Sequence, residues 1–141
     1  SERDDFEESI GAFKWPLEEK YHSDVFVGNM AKWWLQNRKA DSPFFLEIGF
    51  PGPHPPYDPV EDYIKEYIDK DLPLPDFDQE EIEKQPSPQH DYREEMIVYE
   101  GSKERGPHDA VYWEKYPSRE QLHRLRAYYY ANLTMIYKKI G

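Results

Sequence analysis

The sequence contains no cysteine, and its 18 lysines and arginines are outnumbered by 29 aspartates and glutamates. Without cysteine, these 141 residues can form no disulfide, thiolate metal site or cysteine nucleophile. The formal net charge of −11 argues against nucleic acid as a partner, because phosphate contacts need clustered Lys and Arg. No apolar run approaches the roughly 20 residues of a membrane span. These absences leave the cellular compartment open.

Aromatic residues and prolines are plentiful. Aromatics make up 16% of the chain, including 12 tyrosines and 4 tryptophans, and there are 13 prolines. Tyr and Trp combine an apolar ring with a polar tip, which predicts surfaces that are only partly buried. The prolines indicate much irregular backbone. The length is nevertheless sufficient for one domain with its own core.

The strongest local feature is one apolar run that ends in a proline-rich loop. Its large apolar side chains are Phe44, Phe45, Leu46, Ile48 and Phe50. They do not alternate with polar residues, which is typical of a strand covered on both faces in a parallel sheet. Burying five such side chains would contribute about 8–15 kcal/mol. Because no second run is comparable, the neighbouring strands are expected from a missing part of the polypeptide or from a partner.

The remaining pattern predicts helices around this strand. Ser23, Asp58 and Ser118 are suitable helix N-caps, and each precedes an amphipathic stretch. The predicted fold class is α/β, a piece of a mostly parallel sheet flanked by helices, with a long irregular insertion. The predicted segments are a helix–strand–loop unit over 23–57, a helix over 58–69, an irregular insertion over 70–117 and a helix over 118–140.

His54 is the main candidate for chemistry. It lies in the loop after the predicted strand, which is where open α/β sheets place their ligands. The prolines at positions 51, 53, 55 and 56 restrict the backbone on both sides, so the imidazole is presented with little freedom. A histidine there can donate to an anion or act as general acid toward a leaving oxygen. The alternative is an ordinary surface histidine in a proline turn.

Other signals are weaker. His22, His90 and His123 lack the spacing of metal ligands. Asn132-Leu133-Thr134 is formally a glycosylation acceptor, but it lies inside a predicted helix with Leu133 on the expected core face. No glycine-rich phosphate loop or Ser-His-Asp arrangement is visible.

The segment from Pro43 to Tyr57, PFFLEIGFPGPHPPY, closely resembles the central strand and loop of sulfatases, members of the alkaline-phosphatase-like superfamily that often have "PFFL…F…PHxP". The segment from Arg126 to Ile136, RAYYYANLTMI, followed by Lys139-Ile140-Gly141, is similar to a later helix of that family, often "YYAxVxxxDxxIG". The resemblance covers about residues 20–70 and 118–141.

The resemblance implies hydrolysis of sulfate esters. In the family, a formylglycine hydrate attacks sulfur, a calcium-type divalent cation neutralises the sulfate, and Lys and His side chains assist the leaving group. Only the motif histidine, His54, falls within this sequence. The CxPSR nucleophile motif and the Asp-Asn-Gly metal motif are absent, and Tyr137 stands where the family usually has Asp. The chain therefore looks like an internal segment of a sulfatase catalytic domain that is inactive alone.

Under this hypothesis the nucleophile and the metal ligands lie outside residues 1–141, and the partners are the remainder of the sulfatase chain and a sulfate ester. Two alternatives stay open. A phosphonate or phosphate ester hydrolase of the same superfamily would share the fold. A non-catalytic acidic interaction module would use its aromatic residues as an interface.

Overall fold

The computed structural model describes residues 10–39, 42–75, 79–84, 86 and 118–141. A short 3-10 helix, Glu19–Tyr21, precedes the first α-helix. The α-helices of the described residues are α1 (Ser23–Asn37), α2 (Glu61–Ile64), α3 (Gln79–Glu83) and α4 (Arg119–Ile140). None of these helices is long and apolar enough to cross a membrane.

Helix α4 is the longest element, and both of its ends are defined by the sequence. Ser118 and Gln121 form a capping box: the Gln121 N–H donates to Ser118 Oγ (3.1 Å), and the Ser118 N–H donates to Gln121 Oε1 (2.7 Å). At the other end, the Gly141 N–H donates to the Tyr137 carbonyl (3.1 Å). Two lysines in the last turn complement the negative end of the helix dipole.

The core lies where α4 packs against α1 and α2. Met135, Ala131 and Ala127 of α4 are fully buried there, and Val25 of α1 is 2% exposed. Leu133, which the sequence placed on the core face, is 38% exposed. The buried residues of α4 are Ala127, Tyr128, Ala131, Asn132, Met135 and Ile136, so Leu133 lies beside the buried face rather than within it. The buried core consists of Ala12, Val25, Tyr63, Ile64, Leu72, Ala127, Tyr128, Ala131 and Met135.

Helix α1 approaches α4 closely at Gly28. An ideal Cβ at this position would lie 2.5 Å from the Lys139 Cβ, closer than real Cβ atoms come. A glycine in mid-helix costs about 0.5–1 kcal/mol relative to alanine. Here it allows the two helices to approach, and Lys139 reaches past the contact to an ion pair with Glu19 (3.0 Å).

The predicted α/β fold class is wrong for the described residues, which are helical and contain no β-strand or sheet. Residues 43–50, the expected central strand, have no regular secondary structure. Their side chains are not buried on both faces either: Phe45 is 89% exposed, Phe44 48% and Ile48 40%.

A physical reason for this error is that hydrophobicity alone cannot make a strand. A strand needs a neighbouring backbone to receive its N–H and C=O groups, and the described residues supply no such neighbour for 43–50. Phe44 instead packs edge-on against Trp34, with ring centroids 5.2 Å apart. The Arg38 guanidinium lies 3.8 Å from the Phe44 ring centroid.

The strand-like pairing in the described residues occurs elsewhere. Ala12 and Tyr57 form an isolated parallel bridge. The Tyr57 N–H donates to the Gly11 carbonyl (2.8 Å), and the Phe13 N–H donates to the Tyr57 carbonyl (3.0 Å). The Trp15 N–H continues the pairing with the Pro59 carbonyl (3.0 Å). This contact fixes the end of the proline loop rather than its beginning.

Within the segment predicted as a helix over 58–69, the structure has one helical turn, α2, followed by turns over 65–69. Most of the predicted irregular insertion over 70–117 lies outside the described residues. Its described parts are residues 70–75, where Leu72 joins the core, residues 79–84, which include α3, and residue 86.

The buried face of α4 can be tested by comparing two truncations. Because the Met135 side chain is fully buried, Met135→Ala should lower the free energy of unfolding by about 2–5 kcal/mol. Leu133→Ala, two residues away at a side chain that is 38% exposed, should cost less than Met135→Ala, about 1 kcal/mol. Denaturant unfolding of both variants measures the difference, and a larger loss for Leu133→Ala would contradict the observed helix orientation.

Candidate functional site

His54 lies exposed at the tip of the loop over 51–58. Its backbone N–H donates to the Pro51 carbonyl (3.3 Å), which closes the turn. Its Nδ1 is 2.7 Å from the Pro55 carbonyl oxygen. A carbonyl only accepts, so Nδ1 must carry a hydrogen. Nε2 contacts no described residue through a hydrogen bond, and it is therefore the nitrogen available to a ligand.

Glycine is required at position 52 because the loop touches a buried carboxylate there. The Gly52 N–H donates to Asp24 Oδ1 (2.9 Å). An ideal Cβ on Gly52 would overlap Asp24 Oδ2 and would lie 3.2 Å from Ile136 Cδ1. Asp24 belongs to the first turn of α1, and Ile136 belongs to α4. The loop that carries His54 is thus seated directly on the two main helices.

A buried histidine links the other end of the loop to α1. His22 is 1% exposed, and its Nδ1 accepts the Asp24 N–H (3.2 Å), so His22 is the N-cap of α1. Its Nε2 lies 3.3 Å from Asp58 Oδ1. The sequence had assigned the N-cap role to Ser23 and a helix-capping role to Asp58. Asp58 instead contacts His22, and α2 begins after Val60, which makes no side-chain cap.

The electrostatics of this cluster shift the pKa of His22 in opposite directions. Burial by itself lowers the pKa of His22. The hydrogen bond and charge of Asp58, together with the charge of Asp24, outweigh that effect and raise the pKa above its usual 6.5. Trp15 packs edge-on against the His22 ring, with centroids 4.8 Å apart.

Tyr57 anchors the C-terminal end of the loop. Besides its backbone pairing with residues 11–13, its ring packs edge-on against Tyr129 of α4, with centroids 5.8 Å apart. Burial, and secondarily the neighbouring Tyr129, raises the pKa of Tyr57. The phenol therefore stays protonated at neutral pH and serves as packing rather than as a base.

The structure brings no metal centre together within the described residues: no three His, Cys, Asp or Glu side chains are arranged to hold an ion. The sulfatase resemblance places the calcium ligands outside residues 1–141, and that location stays a prediction.

The sequence predicts His54 as a site residue, and that stays a prediction, but it did not indicate the cluster of His22, Asp24 and Asp58 that contacts both ends of its loop. The available signal was the short spacing of His22 and Asp24 at a helix start, where either side chain can cap. Nothing in the sequence indicated that Asp58, 36 positions further along, would complete the cluster.

Asn132 of the formal glycosylation acceptor is 1% exposed inside α4, so its amide faces the interior.

The contact between Gly52 and Asp24 can be tested by substituting Gly52 and, as a control, Gly49. Gly52→Ala should lower the free energy of unfolding by about 1–3 kcal/mol, because the new methyl must displace Asp24 or the loop. Gly49→Ala is the matched control: no described atom lies within 4 Å of its ideal Cβ, and its effect should stay within about 0.5 kcal/mol. Equal effects in denaturant unfolding would show that the Gly52 contact carries no constraint.

Comparison with known proteins supports one relationship. An arylsulfatase from Clostridium perfringens (strain 13 / Type A) is 41% identical to this chain over 61 residues. The matched segment is 43% of this chain but only 13% of the length of the arylsulfatase. No protein-family model matches the chain. Part of this chain is therefore similar to a small part of an arylsulfatase.

Proposed function

We propose that this chain is an internal segment of a sulfatase catalytic domain and that His54 acts at its sulfate site. The observation that carries the proposal is the 61-residue similarity to an arylsulfatase, at 41% identity. The matched segment is only 13% of the length of the arylsulfatase, which supports the proposal that further polypeptide completes the domain. The nucleophile, a formylglycine by resemblance, and the calcium ligands would come from that further chain.

The exposed apolar side chains of α1 support the proposal that further polypeptide packs against this helix. Phe26, Met30 and Trp33 lie at helical spacing along one side of α1, and they are 62%, 44% and 57% exposed. The contact between Trp34 and Phe44 joins this side of α1 to the apolar run over 44–50. Monomeric soluble proteins rarely leave large contiguous apolar patches in water. The remainder of the sulfatase chain is the partner proposed to cover this surface.

The geometry of His54 supports a specific chemical role. With Nδ1–H donated to Pro55, the protonated imidazole presents Nε2–H to solvent. That hydrogen can be donated to a sulfate oxygen or transferred to the departing alkoxide, leaving a neutral ring. The contact with Pro55 fixes the ring orientation, and the Asp24–Gly52 contact fixes the loop. A preset orientation is what general acid catalysis requires.

The catalytic role of His54 can be tested in the longer polypeptide that contains this segment. His54→Ala should lower kcat for an aryl sulfate by about 100-fold or more, since a positioned acid typically contributes that much. KM should change little. His123→Ala is the matched control, because His123 contacts the Lys70 carbonyl on a different part of the surface. A His54→Ala enzyme with unchanged kcat would remove His54 from the mechanism.

The fragment hypothesis makes a separate prediction for residues 1–141 alone. Assayed with an aryl sulfate and calcium, the isolated chain should show no turnover above the uncatalysed background. The same assay with phosphonate and phosphate esters should also be negative. Turnover of either substrate by the isolated chain would contradict the proposal that the nucleophile and metal ligands lie elsewhere.

A further inference from the structure

His22 is a buried titratable group that the proposed chemistry does not use. Its ring nitrogens contact two different parts of the molecule, the first turn of α1 through Asp24 and the end of the loop through Asp58. Asp24 in turn holds the Gly52 N–H. The imidazole is therefore connected to both ends of the loop that carries His54.

The hydrogen-bond pattern identifies the neutral form of His22. The Asp24 N–H can only donate, so Nδ1 must accept and carry no hydrogen. An ionised Asp58 can only accept, so Nε2 must carry the hydrogen. The neutral Nε2–H tautomer satisfies both contacts, and it completes the N-cap of α1.

Protonation of the neutral His22 ring at Nδ1 changes the contact with Asp24 and leaves the contact of Nε2 with Asp58 as it is. Nδ1–H can no longer accept the Asp24 N–H, and the nearest acceptor is Asp24 Oδ2, 3.8 Å away. The other oxygen of the same carboxylate holds Gly52. Protonation of His22 therefore replaces a helix cap by an ion pair with the carboxylate on which the loop is seated.

Among the described residues, two charged groups act directly on His22. Asp24 of α1 and Asp58 of the loop are the two that raise its pKa. Glu19 of the preceding 3-10 helix is engaged by the Tyr63 hydroxyl (3.1 Å) and by Lys139 of α4 (3.0 Å). The ring face toward residues 10–18 meets the indole of Trp15.

We propose that His22 is a positioning residue for the loop over 51–58, and that its protonation changes how Asp24 holds Gly52 and thereby how the loop presents His54. The consequence for catalysis rests on the proposed function, whereas the coupling between His22 and the loop does not. His22 acts through its buried contacts with Asp24 and Asp58 and does not contact the substrate.

The sign of the stability effect follows from the direction of the pKa shift. The folded-state pKa of His22 lies above the 6.5 of an unfolded histidine. The stabilisation by the charged imidazole is therefore fully present below pH 6.5 and is lost as the pH rises through the folded pKa. Over that interval the neutral, helix-capping form replaces the ion-paired form.

The test follows two NMR signals of the chain from pH 5 to 9: the His22 ring and the Gly52 amide. We expect the Gly52 amide to shift with the same midpoint as His22, above 6.5. Asp58→Asn should lower that midpoint by about one pH unit or more, because an opposite charge within hydrogen-bond distance is removed. His22→Gln should abolish this phase of the Gly52 titration.

Two control variants separate His22 from other histidines. His54→Gln removes the imidazole nearest to Gly52 in sequence, and the His22-dependent phase should persist. His123→Gln should leave it unchanged, because the His123 ring contacts the Lys70 carbonyl and not the loop over 51–58. Loss of the phase in His54→Gln, or its survival in His22→Gln, would overturn the proposal. If His22→Gln does not fold, an unmoved midpoint in Asp58→Asn overturns it. Failure of the kcat test on His54 would leave this coupling intact, so the two proposals fail separately.

Discussion

The contact between the Asp24 carboxylate and the Gly52 backbone is the constraint on which the rest of the described structure depends. Asp24 is 1% exposed, and a buried carboxylate is costly unless its lone pairs are used. Gly52 donates to one oxygen, and His22 lies 3.8 Å from the other. Because only glycine leaves room at position 52, loop, helix α1 and helix α4 meet at one point. The position of the loop that carries His54 follows from that meeting point, and the Pro55 carbonyl orients the ring.

The chain combines a well-packed side with an apolar side that is left open. Small residues on α4, Ala127 and Ala131, allow close packing against α1 and α2 and leave no exposed surface of their own. On the opposite side, aromatic residues of α1 and the run over 44–50 remain in contact with water. That division is expected of a segment whose second hydrophobic face belongs against other polypeptide. It agrees with a match that covers only 13% of an arylsulfatase.

His54 and His22 differ in whether their ring nitrogens are accessible to solvent. His54 keeps Nε2 free among the described residues, whereas both nitrogens of His22 are engaged inside the protein. An exposed imidazole can meet a ligand, and a buried one can only alter the groups around it. The two proposals therefore assign different roles to the same residue type. Only the exposed one could be recognised from its proline-rich sequence context.

The sequence by itself determined the local features: the Ser118 capping box, the helix start near residue 23 and the stiff loop around His54. These depend on contacts within a few residues, which a pattern can predict. Tertiary structure alone decided that 43–50 forms no strand, that α4 buries Met135 rather than Leu133, and that Asp58 meets His22. Each of these depends on which distant segment lies opposite, and neither hydrophobicity nor spacing along the chain encodes that neighbour.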